Sequence, residues 1–155
     1  MTESTVYVAI AILYQQGQFL MQLRDNIPSI VYPGHWGFFG GHIEPGETPE
    51  AALKRELLEE INYTPQELVR FGLYPDPGVV RHVYHAPLTV DLKDLVLTEG
   101  WDLGLLTPEA IRQGSHYSVQ AGQACPLGRP FQKILLDFLN SESFSLRAPR
   151  LSPPT

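Results

Sequence analysis

Residues 40–63 read GGHIEPGETPEAALKRELLEEINY, a glycine-containing loop followed by a segment with clear helix signals. Thr48 is a favourable N-cap, and Pro49 suits the first helical position because an N–H there would lack an intrahelical partner anyway. Asn62 tolerates the left-handed backbone conformation that a helix C-cap favours. The stretch therefore predicts one helix that begins at Pro49 and ends before Asn62. The loop before it has glycines that let the backbone approach a ligand or metal closely.

The charged residues of this helix are concentrated on one side. At about 100° per residue, Arg55, Glu56, Glu59 and Glu60 fall within roughly 140° of one another. Carboxylates spaced at i, i+3 and i+4 repel each other by a few tenths of a kcal/mol per pair, so a fold has no need of them. Hard divalent cations require several carboxylate oxygens in one place, which predicts a Mg²⁺ or Mn²⁺ site, with a solvated acidic face as the alternative. The opposite arc is apolar and is expected to pack on a sheet: Leu53, Leu57, Leu58 and Ile61.

Apolar segments on both sides of this helix predict the strands of a sheet. Before the helix they cover residues 6–14, 19–25 and 36–39. After it they cover residues 68–74, 79–89 and 94–98, followed by helices over residues 107–111 and 128–140. This order favours an α/β protein with a mixed β-sheet and helices on both faces. We expect one domain over residues 1–140 and a Ser- and Pro-rich, poorly ordered tail over residues 141–155.

Composition and charge restrict the partners. The 155 residues fit one domain, and 11 basic against 17 acidic residues give a net charge of −6 without a Lys- or Arg-rich cluster. Genomic nucleic acid is therefore not an expected partner, whereas a small anion is compatible because a divalent cation can bridge two negative groups. The single cysteine, Cys125, cannot form an internal disulfide, which favours a cytoplasmic protein. The apolar run near the N-terminus is too short to span a bilayer, so no membrane anchor is expected.

The acidic helix and its loop follow the signature of a known family. Gly41, five residues, Glu47, seven residues, Arg55-Glu56-Leu57, one residue and Glu59-Glu60 match the Nudix box, G-x5-E-x7-R-E-U-x-E-E-x-G-U, where U is a bulky apolar residue. The chain thus resembles the Nudix hydrolases, and its strand order is similar to the Nudix-type α/β/α sandwich. Two positions at the helix end depart from the pattern: Asn62 replaces the usual Gly, and Tyr63 replaces an aliphatic residue.

The resemblance implies an enzyme that needs Mg²⁺ or Mn²⁺. It would be a pyrophosphohydrolase of a nucleoside diphosphate linked to another moiety: a nucleoside triphosphate, a nucleotide sugar or an ADP-ribose-like substrate. Glu56 would be a metal ligand or the base that orients the attacking water, and Arg55 would orient Glu47 or Glu56. The implied catalytic residues are Glu47, Arg55, Glu56 and Glu59. The implied metal ligands are the backbone carbonyl of Gly40 and the side chains of Glu56, Glu59 and Glu60.

The candidate substrate contacts lie in and around this motif: Arg24, Phe39, Gly41, Arg81 and Glu99. Arg24 ends a predicted strand and would contact a substrate phosphate, with a surface pair to Asp25 as the alternative. Phe39 would stack on a base or belong to the core. Arg81 would face a ligand from its strand, and Glu99 would be a further metal-binding or catalytic carboxylate or a plain loop acid.

The implied partner is a small nucleotide-type substrate, and the resemblance also admits a homodimer. A non-catalytic Nudix-like module that senses a nucleotide is the alternative function. Members of that kind usually lose carboxylates of the box, and all of these carboxylates are present here.

Overall fold

A computed structural model describes residues 4–141 and 143–144 of the chain. The strands in this part are β1 (Val6–Gln15), β2 (Gln18–Leu23), β3 (Trp36–Gly37), β4 (Phe39–His42), β5 (Val69–Asp76), β6 (Val79–Pro87), β7 (Asp102–Leu106), β8 (Ser115–Ser118) and β9 (Gln123–Pro126). The helices are α1 (Pro49–Ile61), α2 (Pro108–Gln113) and α3 (Arg129–Leu139), and a 3₁₀ turn covers Leu92–Asp94. Seven of these strands form one sheet, and β8 and β9 form a separate hairpin.

β1 is the central strand of the seven-stranded sheet. β6 runs parallel to it from Val6 to Tyr14 and occupies one of its edges. The other edge is therefore shared: β2 forms a hairpin with the end of β1, and β4 pairs antiparallel with residues 8–11. β5 extends the sheet beyond β6, while β3 and β7 pair with β2. This arrangement places Gly40 and Gly41 of β4 directly beside the backbone of β1.

Helices cover both faces of the sheet. On one face, the buried side of α1 packs with Phe39 and with Ala9 and Ala11 of β1. On the other face, Ile10 and Ile12 pack with buried residues of α2 and α3. This alternation follows from the two-residue period of a strand, and it confirms the predicted α/β/α sandwich with a mixed sheet.

The predicted caps bound α1. Thr48 Oγ1 accepts a hydrogen bond from the Ala51 N–H at 3.1 Å, and Asn62 adopts the left-handed conformation with φ of 55°. The prediction that Leu58 packs on the sheet is wrong, because its side chain is 52% exposed. Leu58 is turned by about 100° from Leu57, whose side chain faces the sheet, so the buried stripe is narrower than the apolar arc.

The predicted strand 36–39 divides into two short strands. Trp36 and Gly37 pair with β2, whereas Phe39 pairs with Ala11 of β1. The strand is divided because its two halves pair with different neighbours: β3 pairs with the end of β2, and β4 pairs with β1. The rings of Trp36 and Phe38 join one core cluster and that of Phe39 joins the other.

The predicted strand over residues 94–98 is wrong. Its period of two is present, since Leu95 is buried while Val96 is 52% exposed. Its backbone donors, however, bind the end of α1 rather than a strand: the Val96 N–H donates to the Ile61 carbonyl at 3.1 Å, and the Thr98 N–H donates to the Glu60 carbonyl at 3.0 Å. An alternating pattern indicates an extended segment but does not say which carbonyls it will meet.

Three strands were absent from the sequence prediction. β7 pairs with β2 from Leu106 to Asp102, and Gly104 at its centre interrupts the apolar pattern that would have indicated a strand. β8 and β9 pair in antiparallel register, and each has only four residues with few apolar side chains. Strands this short carry little periodicity.

The packed part of the chain extends past residue 140. The Phe144 ring lies 5.8 Å from the Phe19 ring and 6.1 Å from the Phe138 ring, measured between centroids. The rest of the predicted tail, residues 142 and 145–155, lies outside the described residues.

Within the described residues, no helix has the length and apolar character that crossing a bilayer requires.

Candidate active site

An open cavity of about 530 Å³ lies where the end of β2, β4, the charged side of α1 and residues 98–100 meet. Its lining is rich in carboxylates, which come from three separate parts of the chain: Asp25, Glu56, Glu59, Glu60 and Glu99. Arg24, Gly40 and Gly41 line the same cavity. The fold thus brings most of the predicted site residues to one place.

The two glycines are required by close contacts around the cavity. Gly40 has φ of 140°, and a Cβ there would collide with the Ala9 carbonyl oxygen of β1. A Cβ on Gly41 would lie 2.5 Å from the Glu56 carboxyl carbon. Gly40 therefore allows β4 to pair with β1, and Gly41 leaves room for the Glu56 carboxylate.

Arg55 binds two carboxylates at once. Its Nε and one terminal nitrogen donate to the two Glu47 oxygens, both at 2.9 Å, and its other terminal nitrogen donates to Glu56 Oε1 at 3.0 Å. The same guanidinium donates to the His42 carbonyl at 3.1 Å. The hydrogen bonds from Arg55 lower the pKa of Glu47 to about 2, assisted by the Glu44 N–H. The prediction left open whether Arg55 holds Glu47 or Glu56, and the structure shows that it holds both.

Glu60 is a partly buried carboxylate of the cavity. Burial raises its pKa to about 8, the hydrogen bond from the Gly40 N–H at 2.9 Å opposes this shift, and the charges of Glu56 and Glu99 add to it. The nearby Gln22 side chain also opposes the rise in the pKa of Glu60, and it donates to the Phe38 carbonyl at 3.2 Å. The sequence prediction missed Gln22, although a glutamine within an otherwise apolar strand is a usable signal.

The donor chemistry of this cavity fits a hard divalent cation. Glu56, Glu59, Glu60 and Glu99 offer carboxylate oxygens from two elements around one space. In the described part of the chain, no three His, Cys, Asp or Glu side chains already converge on one point. Glu56 is bonded to Arg55 and Glu60 to the Gly40 N–H, so a cation would have to compete with these two contacts.

Arg24 lines the cavity just after the end of β2. Its Nε donates to the Val31 carbonyl at 2.6 Å, and its backbone N–H donates to the His35 carbonyl at 2.9 Å. These contacts close the loop over residues 24–35 and place Ile30 in the cavity lining. Arg24 is thus part of a folded loop that borders the cavity.

Two predicted substrate contacts do not reach the cavity. Phe39 is 1% exposed and packs beneath α1, because side chains alternate along its strand and this one faces the core. Arg81 lies on the face of the sheet that packs against α3. It donates to Asp76 Oδ2 at 2.6 Å, and its guanidinium carbon lies 5.5 Å from the centroid of the Phe131 ring. The structure gives neither side chain a ligand-facing position in this cavity.

We compared the sequence with models of known protein families. Residues 3–118 match the family model described as NUDIX domain. The chain belongs to the Nudix hydrolase family. The resemblance carried by the box is thereby confirmed, including the substitution of Asn62, which supplies the left-handed cap that the usual Gly would supply.

Solved Nudix structures share the fold. The crystal structure of the MutT protein from Methanosarcina mazei Go1 has a TM-score of 0.68 at 20% identity and covers 90% of this chain and 96% of that one. The solution structure of the Escherichia coli ORF135 protein has a TM-score of 0.61 at 26% identity and covers 97% of this chain and 96% of that one.

Sequence relatives carry hydrolase names. The nucleoside triphosphatase NudI of Enterobacter sp. (strain 638) is 31% identical over 96 residues, which is 52% of this chain and 67% of that protein. The nucleoside triphosphatase NudI of Salmonella arizonae is 55% identical over 55 residues, which is 35% of this chain and 38% of that protein. The matched parts therefore span between about one third and two thirds of these relatives.

Proposed function

We propose that this Nudix protein is a divalent-cation-dependent pyrophosphohydrolase of nucleoside triphosphates. Membership of the family supports hydrolysis of a phosphoanhydride bond, and the names of the NudI relatives favour a triphosphate over a nucleotide sugar. The observation that carries the proposal is the single cavity that joins the carboxylates of Glu56, Glu59, Glu60 and Glu99. Such a cluster of carboxylates repels a polyphosphate. When divalent cations lie between the carboxylates and the phosphates, the cluster instead binds the polyphosphate.

The proposed cation ligands are Glu56, Glu59, Glu60 and the backbone at Gly40, with Glu99 as a further carboxylate. A bound Mg²⁺ or Mn²⁺ supplies Lewis acidity towards the phosphate oxygens and the attacking water. Glu59 lines the cavity with a side chain that is 60% exposed, whereas Glu56 is 20% exposed and is held by Arg55.

Glu56 and Glu59 are the proposed bases for the attacking water. Arg55 holds Glu56 by one hydrogen bond and lies 3.6 Å from Glu59 Oε2, so it contacts both proposed bases and restricts the orientation of Glu56. Glu47 keeps Arg55 in place through the paired contact at 2.9 Å. Either carboxylate would take the proton from water as it attacks phosphorus, and Arg24 would contact the phosphate chain.

A substrate panel tests the proposal. The purified protein is incubated with ribo- and deoxyribonucleoside triphosphates, an oxidised guanine triphosphate, a nucleotide sugar and ADP-ribose, each with Mg²⁺, Mn²⁺ or EDTA. We expect one or more triphosphates to yield the monophosphate and pyrophosphate, resolved by anion-exchange chromatography, and EDTA to abolish the reaction. Hydrolysis in isotope-labelled water then shows by mass spectrometry which phosphorus is attacked.

The panel also separates the proposal from its alternatives. Turnover of ADP-ribose or the nucleotide sugar alone would retain a phosphoanhydride hydrolase but contradict the triphosphate. Binding of a nucleotide in calorimetry without any product, with both metals, would favour the non-catalytic sensing module instead.

A further inference from the structure

The C-terminal end of α1 is capped by a segment from another part of the chain. The last carbonyls of a helix have no partner within the helix and need one elsewhere. The Leu58 carbonyl accepts from the Asn62 N–H at 3.1 Å, as expected for a left-handed cap. The following carbonyls are met by residues 96–98, beginning with the Val96 N–H, which donates to Ile61 at 3.1 Å.

Thr98 makes the remaining contacts. Its N–H donates to the Glu60 carbonyl at 3.0 Å, and its hydroxyl lies 2.9 Å from the Glu59 carbonyl and 3.2 Å from that of Glu60. One side chain therefore binds the backbone of the two adjacent residues whose carboxylates line the acidic cavity. Thr98 itself also lines that cavity.

The chain after Thr98 is anchored a second time, on β2. The Trp101 N–H donates to the Leu23 carbonyl at 2.8 Å. Gly100 has φ of 102°, and a Cβ there would lie 3.1 Å from Gln22 Oε1 and 3.3 Å from the Leu23 carbonyl oxygen. Glu99 thus lies between an anchor on α1 and an anchor on β2, only one residue from Thr98 and two from Trp101.

We propose that Thr98 is a positioning residue of the acidic site. Its hydroxyl and amide set the spacing between the carboxylates of Glu59 and Glu60 on α1 and that of Glu99 on the adjoining segment. That spacing determines how tightly a divalent cation binds. This inference rests on the proposed function, because it assumes that these carboxylates bind a cation.

A helix cap without a role in the site would behave differently. Losing any capping hydroxyl lowers stability, so stability by itself does not decide the matter. Thr107 provides a matched control, since its Oγ1 accepts from the Ala110 N–H at 3.1 Å and caps α2. Thr107 does not line the acidic cavity.

The test compares the Thr98→Val, Thr98→Ser and Thr107→Val variants with the wild type. Mn²⁺ affinity is measured by electron paramagnetic resonance without substrate, and Tm is measured in EDTA. We expect Thr98→Val to weaken Mn²⁺ binding by about 10-fold to 100-fold, the range for residues that orient metal ligands. Thr98→Ser keeps the hydroxyl and should restore binding to near the wild-type value. Thr107→Val should lower Tm and leave Mn²⁺ affinity unchanged.

Each other outcome overturns the inference in a distinguishable way. If Thr98→Val loses stability but binds Mn²⁺ like the wild type, Thr98 is only a cap. If Thr98→Ser binds as weakly as Thr98→Val, the hydroxyl does not set the spacing. If the wild type binds no Mn²⁺, both this inference and the proposed function fail, whereas the first two outcomes leave the proposed function intact. Thr98→Ala, which adds no bulk, replaces the valine variant if the latter does not fold.

Discussion

The two faces of the sheet both carry a cavity lined by charged residues, but they balance those charges differently. On the α1 face, Glu59, Glu60 and Glu99 line a cavity of about 530 Å³, and the nearby Arg55 is already bonded to Glu47 and Glu56. On the α3 face, the charges beside a cavity of about 290 Å³ are paired. Arg81 binds Asp76 at 2.6 Å, and Lys133 lies 3.7 Å from Asp137 Oδ2.

The contrast suggests that uncompensated charge, rather than charge itself, distinguishes the face that carries the proposed site. Tyr74 illustrates the balanced side: burial raises the pKa of its hydroxyl, which donates to Asp137 at 2.9 Å. In this pair the Tyr74 hydroxyl and the Asp137 carboxylate already have partners within the protein. On the other side, Glu60 has a raised pKa and only amide donors, from Gly40 and Gln22, near its carboxylate. That arrangement costs stability in the absence of a cation, which is expected of a site built for binding.

The largest expected effect comes from removing one carboxylate of the α1 face. Glu59→Gln should lower kcat/KM by about 10²–10⁴-fold, because it removes a proposed base and cation ligand without changing the side-chain size. The measurement is steady-state turnover of the best triphosphate at saturating Mg²⁺. Asp137→Asn on the α3 face is the control and should change the rate by no more than about twofold. Equal losses in the two variants would remove the distinction between the faces.

The next effect tests the room that Gly41 leaves for Glu56. Gly41→Ala places a methyl group where the Glu56 carboxyl carbon is only 2.5 Å away, so the carboxylate must move. A displacement of this size should lower kcat by up to about 10²-fold. Gly104→Ala is the matched control, since its Cβ would meet Trp36 at an ordinary distance of 3.5 Å. Full activity of Gly41→Ala would show that the position of Glu56 is not critical.

A third prediction concerns pH and uses Glu60. Its pKa is raised from 4.5 to about 8 in the folded protein, so the unfolded chain ionises first as pH rises. Stability is therefore lost progressively between pH 4.5 and about 8 and stays low above that range. In EDTA, Glu60→Gln should leave Tm unchanged below pH 4.5 and raise it by several °C above pH 8, and a pKa shift of this size sets an upper limit of about 5 kcal/mol on the gain.

Above pH 8, added Mg²⁺ should make the Tm of the wild type higher than that of Glu60→Gln, the reverse of the order expected in EDTA. The wild type gains stability from binding, and the Gln variant, which lacks one ligand charge, gains less. Below pH 8, Mg²⁺ binding to the wild type should also release a proton, which calorimetry in buffers of different ionisation enthalpy detects. A Tm difference that does not vary with pH would contradict the raised pKa of Glu60.

The smallest effect is expected on the α3 face. Lys133 and Asp137 are spaced i, i+4 on α3, and their side chains are 71% and 47% exposed. Lys133→Ala should change the free energy of unfolding by no more than about 0.5 kcal/mol and leave turnover unchanged. Urea unfolding and the same turnover assay check both values. A clear loss of activity would indicate that the second cavity contributes to function.

The acidic helix shows how far local signals reach. Thr48, Pro49 and Asn62 predicted the bounds of α1, and the spacing of Glu56, Glu59 and Glu60 predicted that their carboxylates would share a side. These features depend only on residues a few positions apart in one element. The same logic found β1, β2, β5 and β6, whose apolar runs are long.

The failures lie where distant segments meet. Residues 94–98 have a strand-like pattern but bind the end of α1, and Phe39 and Arg81 face away from the cavity. Gln22 and Thr98 gained their positions beside Glu60 from contacts with other elements. A pattern in one segment specifies its conformation and its apolar side, but not which partner will cover that side.

The amino-acid sequence thus predicts a charged helix after a glycine loop, within an α/β fold of the Nudix family. Caps, periodicity and charge spacing are local, because they depend only on residues a few positions apart. The folded arrangement was needed to show that Glu99 joins the carboxylates of α1 and that Arg81 is paired on the opposite face. Those outcomes depend on how β1 divides its edges among β2, β4 and β6, and such pairings join segments far apart in the chain.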